Sequence, residues 1–286
     1  MKKLLTDSKE KWAKQFKPDY LRGKALNPNM SDALRYKKRL DKLISQMTAE
    51  VERELKALFK TDAAKEFFAM DASISSQARI LTNALSDKFN AIFANISKPL
   101  AEKVVEEANQ SSNVALKSSL KELSGGLSIK TSSISPEITD VLNASTTENV
   151  ALIKSISQQY LNGVQQAVMR SITGTEGLND LIPYLQKSKE ITYRRAKMIA
   201  YDQTRKAYNS INVAKMNKLG IKKFEWLHSG GSTHPRKLHI QLSGKIFSLD
   251  DPPVIEDNKG KITRGLPGML PNCRCRLLPV ISFNEK

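Results

Sequence analysis

The three histidines and two cysteines of this 286-residue chain all fall between His228 and Cys275. Imidazole and thiol side chains are ligands that divalent transition metals prefer. Cys273 and Cys275, in Cys-x-Cys spacing, together with His234 and His239 predict a tetrahedral Cys2His2 site for one structural zinc ion. Since this segment is loop-rich and poor in apolar residues, it also needs a staple in order to fold.

Other interpretations of this cluster remain open. The spacing is not that of a zinc finger, because it lacks both a C-x2-C pair and an H-x3-H helix end. An acidic residue such as Asp250 is an alternative to His234 as the fourth ligand. His228 and His239 could also be ordinary polar residues of a small β-rich unit, with the cysteines as small apolar fillers. A disulfide between the two cysteines is disfavoured because its ring would be short and strained.

The amino-terminal half predicts long amphipathic helices. Apolar residues recur at steps of three and four over residues 31–59, which is typical of one buried helix face. A second stripe covers residues 71–104 and contains Pro99, which predicts a kink in that helix. We therefore expect a helical, partner-binding region at residues 31–125, preceded by a basic arm at residues 1–30.

The middle of the chain predicts a linker and then a second helical segment. Residues 126–145 are rich in Ser and Thr, which favours a linker, with a β-hairpin as the alternative. The sequence from Ser145 to Glu148 is a capping box, so we expect a helix at residues 146–172. A short helix at 177–187 and a long helix at 190–219 should follow.

Two alternating patterns after Gly220 predict β-strands. They cover residues 223–227 and 245–249, and the remainder as far as Leu270 is expected to be loop. The predicted fold class is therefore mainly α. It combines a long-helix amino-terminal half with a helical segment that leads into a small α+β carboxy-terminal unit containing a short antiparallel sheet.

The charge balance favours acidic partners. The chain has 46 basic and 29 acidic residues and a formal net charge of +17, which attracts polyanions such as nucleic acid. A solvated face on a basic protein is the alternative. No run approaches 18 apolar residues, so we expect no membrane anchor. The candidate nucleic-acid-binding residues are Arg194, Arg195, Lys197, Arg205 and Lys206.

The sequence contains none of the common catalytic motifs, and we expect no enzyme. It has no nucleophile elbow, no Gly-rich phosphate loop and no H-E-x-x-H helix. The sharpest enzymatic alternative is a zinc-dependent nuclease in which His239 and Asp250 activate water. Closed four-ligand coordination argues against it, because a catalytic zinc keeps one position open.

Several residues of the carboxy-terminal region stand in a specific order and spacing: Trp226, Arg236, His239, Gly244, Pro267, Gly268, Asn272, Cys273 and Cys275. This order resembles the signature of the phage head morphogenesis family, the Mu F-like minor head proteins. The preceding Arg195-Ala196-x-x-Ile199-Ala200 resembles the helix that leads into the Trp strand in that family. The resemblance covers about residues 145 to 283 and implies that residues 146–286 form the Mu F-like domain.

The resemblance implies a minor capsid protein of a tailed bacteriophage that binds the portal and is incorporated in the procapsid. It implies a role in head assembly and in DNA packaging or ejection, without catalysis. The implied partners are the portal, scaffolding or major capsid protein and double-stranded phage DNA. The implied location is the capsid interior near the portal vertex, after assembly in the host bacterial cytoplasm. The alternatives are a nucleic-acid-binding protein and a zinc-dependent nuclease.

Overall fold

The computed structural model describes residues 20–60, 72–123, 131, 135–173, 178–231, 234–258 and 260–282. Long helices come first and a small antiparallel sheet region follows, so the predicted fold class is confirmed. In chain order the elements are β1 (Tyr20–Arg22), α1 (Met30–Lys60), α2 (Ala72–Leu123), α3 (Pro136–Thr173), α4 (Leu178–Lys218), β2 (Lys223–Leu227), α5 (Lys237–Leu242), β3 (Ile246–Ser248), β4 (Val254–Asn258), β5 (Lys261–Arg264) and β6 (Arg276–Ser282).

The chain divides into two compact units, each assembled from separate segments. The helical unit consists of Pro28–Ser111 and Pro136–Ile211, and the sheet unit consists of Met1–Asn27, Ser112–Ser135 and Asn212–Lys286. Helices α2 and α4 therefore contribute residues to both units. The domain limits expected from the sequence follow chain order, whereas this division does not, and those limits stay predictions.

The helical unit is built on the apolar stripes seen in the sequence. One face of α1 is buried along its whole length because its apolar residues recur at helical spacing. The phenol of Tyr36 donates a hydrogen bond of 3.1 Å to Oδ1 of Asn149 on α3. The large buried residues of this face are Tyr36, Leu40, Ile44, Met47, Val51, Leu55 and Phe59.

Two helix boundaries differ from those expected. Helix α3 begins at Pro136, ten residues before the predicted start, and proline is favoured at a first helical position because it needs no hydrogen-bond partner there. Helix α4 is continuous from Leu178 to Lys218 and contains Pro183, so the break expected between two helices is absent. Helix α2 likewise continues through Pro99. The segment for which a β-hairpin was the alternative is helical from Pro136 onward, and its residues 126–130 and 132–134 lie outside the described residues.

No helix among the described residues has an apolar stretch long enough to cross a bilayer.

The sheet unit contains a four-stranded antiparallel sheet in the order β1-β6-β2-β3. In β2 the alternating side chains of Phe224 and Trp226 point inward and are fully buried. Trp226 stands opposite Leu277 of β6. The two predicted strands are confirmed, but the expectation of loop as far as Leu270 is wrong. That stretch contains α5 and the separate two-stranded sheet β4-β5.

Candidate metal centre

His239, Cys273 and Cys275 converge in the sheet unit. All three are buried, and their ligand atoms lie within 4.8 Å of one another. Nδ1 of His239 is 3.5 Å from Sγ of Cys273 and 3.6 Å from Sγ of Cys275. Three of the four predicted ligands are therefore brought together, with the histidine on α5 and the cysteines just before β6.

The hydrogen bonding of His239 leaves one ring nitrogen available to the sulfurs. Its Nε2 lies 3.0 Å from the carbonyl oxygen of Ile255, and because a carbonyl only accepts, Nε2 carries the proton. In the neutral imidazole Nδ1 then presents a lone pair toward both sulfurs. Metal-binding histidines commonly have this arrangement, with the outer nitrogen held by a backbone carbonyl. The ring of Trp226 packs edge-on against the imidazole at 5.1 Å between centroids.

The measured distances fit a tetrahedral ion. Zinc bonds of about 2.3 Å to sulfur and 2.0–2.1 Å to nitrogen place adjacent N and S ligands about 3.6 Å apart. The two separations between His239 and the sulfurs are 3.5 and 3.6 Å. The imidazole of His239 therefore already lies at the spacing from each sulfur that a zinc ion requires.

Three tight turns shape the segments around these ligands. They cover residues 242–245, 266–269 and 270–273, and in each the amide of the last residue donates to the carbonyl of the first. The third residue of each turn has a positive φ, as a type II turn requires, and Pro occupies the second position of the last two. The turn at 270–273 delivers Cys273 to the cluster. The third residues are Gly244, Gly268 and Asn272, with φ of 79°, 82° and 58°.

Two arginines tie neighbouring segments to the cysteine loop. Arg236, which immediately precedes α5, donates from Nη2 to the carbonyl of Pro271 at 3.1 Å. It lies one helical turn before His239, so the same helix that carries the imidazole is bound to the turn that carries Cys273. Arg274 donates from Nη1 to the carbonyl of Gly231 at 3.2 Å.

The two thiols are electrostatically linked. The hydrogen bond from Cys275 has the largest influence on the pKa of the Cys273 thiol. Although burial opposes it, this bond lowers the pKa of Cys273 to about 4. The same bond between the thiols, reinforced by burial and by the charge of Cys273, raises the pKa of Cys275. The protein therefore favours a thiolate at Cys273, and thiolates are the form of cysteine that binds metal.

The other two histidines lie beside the three converging residues. His228 is half-buried, and its Nδ1 lies 3.6 Å from Sγ of Cys275. His234, the fourth predicted ligand, is exposed, and neither it nor His228 is one of the three converging residues. It lines a cavity of about 30 Å³ beside the cluster, together with His228. Asp250, the alternative ligand, is 71% exposed and lies 3.9 Å from Nζ of Lys222.

The predicted nucleic-acid-binding residues do not form one free basic face. Arg195 is half-buried and donates to Oγ of Ser155 at 2.8 Å. The side chain of Arg205 is 11% exposed beside Asp202, and Lys206 pairs with Glu148 at 3.1 Å. Of the five candidates, only Arg194 and Lys197 are exposed.

The fold and the cluster define a class of protein region: a small α+β unit arranged around buried Cys and His side chains. Residues 162–278 match the family described as Phage Mu protein F like protein. This segment is Mu F-like, which confirms the resemblance, and it contains every residue of the motif.

One curated relative shares most of the length of this chain. It is a protein of Haemophilus influenzae (strain ATCC 51907 / DSM 11121 / KW20 / Rd) described as uncharacterized, and it is 31% identical over 278 residues. The alignment covers 96% of this chain and 57% of the relative. The chain therefore spans little more than half the length of that protein. No solved structure matches.

Proposed function

We propose that this chain is a minor capsid protein of a tailed bacteriophage that binds the portal and is incorporated in the procapsid. In this role it takes part in head assembly and in DNA packaging or ejection, inside the capsid near the portal vertex. Assembly takes place in the host bacterial cytoplasm. The role is architectural and involves no turnover of a substrate.

The observation that carries the proposal is that the Mu F-like segment coincides with the Cys/His cluster. Residues 162–278 include the whole cluster and its supporting turns. The motif residues hold this centre together: Asn272 forms the turn that delivers Cys273, and Arg236 binds that turn to α5. The signature thus has a structural purpose within one unit, as expected for a protein that serves assembly.

One structural zinc ion is part of the proposal. Two sulfur donors and at least one imidazole select zinc over Mg²⁺ and Ca²⁺, which prefer oxygen ligands. His239, Cys273 and Cys275 would hold the ion, which would cross-link α5 to the loop before β6. Elemental analysis of protein purified without chelator should find one zinc per chain, and Cys273→Ser/Cys275→Ser should contain none. Metal-free wild-type protein would contradict this part of the proposal.

The helical unit is the proposed portal-binding part. On α4 the exposed side chains of Ile191 and Met198 are 50% and 39% accessible. They are seven residues apart and share a helix face with Arg194, since positions i, i+3 and i+7 lie on one side. Met and Arg are enriched in protein–protein interfaces. We name this face of α4, consisting of these three residues, the α4 face.

Binding to the portal can be tested by co-expressing the full chain with the portal protein of the same phage. Wild-type protein should co-purify with the portal and with procapsids. Ile191→Glu/Met198→Glu should lose both, while keeping its helical circular dichroism because both residues are exposed. Ile262→Glu is the matched control, since Ile262 is 61% exposed in the sheet unit and should not affect binding. Wild-type protein that enters neither complex would overturn the proposal.

The nuclease alternative predicts a different result. Supercoiled plasmid incubated with the zinc-loaded protein should stay intact if the centre is structural. Metal-dependent cleavage that His239→Ala abolishes would replace the architectural role with a catalytic one. A general nucleic-acid-binding role would instead show affinity for DNA that falls steeply with salt and no retention of the portal.

A further inference from the structure

The position of His228 follows from the alternation of β2. Side chains two residues apart on a strand point to the same face, and Phe224 and Trp226 both point into the core. His228 continues this alternation just beyond the end of β2. Its backbone N–H donates to Oγ of Ser243 at 3.1 Å, which fixes it beside the turn that follows α5.

The distance from His228 to the cluster matches the other ligand distances. Nδ1 of His228 lies 3.6 Å from Sγ of Cys275, equal to the separation between Nδ1 of His239 and the same sulfur. Adjacent nitrogen and sulfur ligands of a tetrahedral zinc lie about 3.6 Å apart. With respect to Cys275, the imidazole of His228 is therefore already at ligand spacing.

Hydrogen bonding alone does not account for this convergence as well as an ion does. A thiol has one proton, so Cys275 cannot donate to both imidazole rings at the same time. His239 already has its proton on Nε2, because that atom faces the Ile255 carbonyl, and it can only accept at Nδ1. A single cation at the centre satisfies both nitrogens and both sulfurs together.

We infer that His228, and not His234, is the fourth ligand of the metal centre, which is a closed Cys2His2 site for Zn²⁺ or another tetrahedral divalent ion. The inference rests on the zinc site proposed above. With all four positions taken by side chains, the centre has no open position for a substrate or a reactive water. The ion then links the end of β2, helix α5 and the loop before β6.

The test uses full-length protein loaded with Co²⁺, which reports its ligands by visible absorption. Wild-type protein should bind one Co²⁺ per chain with the intense visible bands of a tetrahedral complex and a thiolate charge-transfer band. His234→Ala should leave the spectrum and the affinity unchanged. His228→Ala should weaken binding roughly tenfold or more, as expected for a lost ligand, and should change the visible bands as water replaces the imidazole.

A second substitution guards against misfolding of the alanine variant. His228→Cys retains a ligand, and a third thiolate should raise the charge-transfer intensity by about half, because the complex would have three sulfurs instead of two. His234→Cys should leave that intensity unchanged. The inference is overturned if the His234 variants alter the spectrum and the His228 variants do not, or if neither pair alters it.

If the zinc proposal itself fails, the metal-binding results differ from those that would overturn His228 as a ligand. In that case wild-type protein binds neither Co²⁺ nor Zn²⁺, and Cys273→Ser/Cys275→Ser behaves like wild type. If wild-type protein binds metal and the cysteine variant does not, the zinc site stands. The comparison of the two histidines then decides the identity of the fourth ligand alone.

Discussion

Arg236 offers a test of how the motif supports the metal centre without touching the ion. Its guanidinium donates to the carbonyl of Pro271, the second residue of the turn that ends at Cys273. Arg236→Ala removes this tie between α5, which carries His239, and the cysteine loop. We expect the zinc affinity to fall while the helical unit remains folded.

The magnitude follows from the single bond that is lost. A hydrogen bond from a charged donor contributes about 1.5–3 kcal/mol, and the lower end applies because Arg236 is half-exposed and water can take its place. If the bond stabilises only the arrangement that binds metal, a loss of about 1.4 kcal/mol corresponds to a tenfold weaker zinc affinity. Loss of supporting contacts around metal ligands typically costs about 10–100-fold.

Competition with a chromophoric zinc chelator measures this change directly. Arg264→Ala is the matched control, because Arg264 also donates to a proline carbonyl, that of Pro252 at 3.0 Å, and lies on β5 outside the cluster. The control should keep the wild-type affinity. The reasoning is refuted if Arg236→Ala binds zinc within about twofold of wild type, or if Arg264→Ala weakens binding equally.

Three further predictions concern the turn, the basic residues and the helical unit. Asn272 has a φ of 58°, so Asn272→Ala should lower the free energy of unfolding by about 1 kcal/mol and Asn272→Gly should not; urea denaturation measures both. If DNA is a partner, Arg194→Ala/Lys197→Ala should reduce the slope of log affinity against log salt by about 1.8, since each phosphate contact contributes about 0.9; an unchanged slope would exclude this pair from the contact. Burial opposes the charge on Glu148, but hydrogen bonds from two α4 side chains lower its pKa. Its contribution is thus complete above the ordinary carboxylate pKa and is lost as the pH falls through the lowered value. Glu148→Gln should consequently show a smaller acid-induced loss of stability, and an identical pH profile would contradict the assigned cause.

The helices were predictable wherever the apolar period was strict. In α1 the stripe from Tyr36 to Phe59 is buried throughout, so periodicity alone locates the element. The start of α3 at Pro136 was missed because Ser and Thr suggested a linker, whereas buried Ile138 anchors this first part of the helix. The unbroken α4 was missed because local composition does not report the packing that keeps a helix continuous.

The sheet was less predictable because its pairs are distant in sequence. Tyr20 pairs with Ser282, and no local pattern announces a partner at the other end of the chain. The β4-β5 hairpin has mostly exposed side chains and therefore lacks the alternation of a half-buried strand. Gly260, with a φ of 89°, was the one turn signal that could have located it.

The candidate centre shows the same division between residue type and arrangement. The residue types and the Cys-x-Cys spacing identified three converging residues. Choosing between His228 and His234 as the fourth ligand required knowing that β2 and α5 meet. Extending the alternation of Phe224 and Trp226 by one step was the available signal. Helical patterns do not supply this kind of information, because it depends on where a strand ends.

The composition of the sheet unit explains why an ion would matter there. Between residues 228 and 275 the large aliphatic side chains that are buried are Leu242, Leu249 and Ile255, whereas α1 alone buries seven large apolar residues on one face. Hydrophobic burial is roughly proportional to apolar area, so this stretch gains little of the stabilisation that orders the helices. Its turns constrain short segments only. A shared ion would join segments that the turns leave separate, and it would do so without a disulfide.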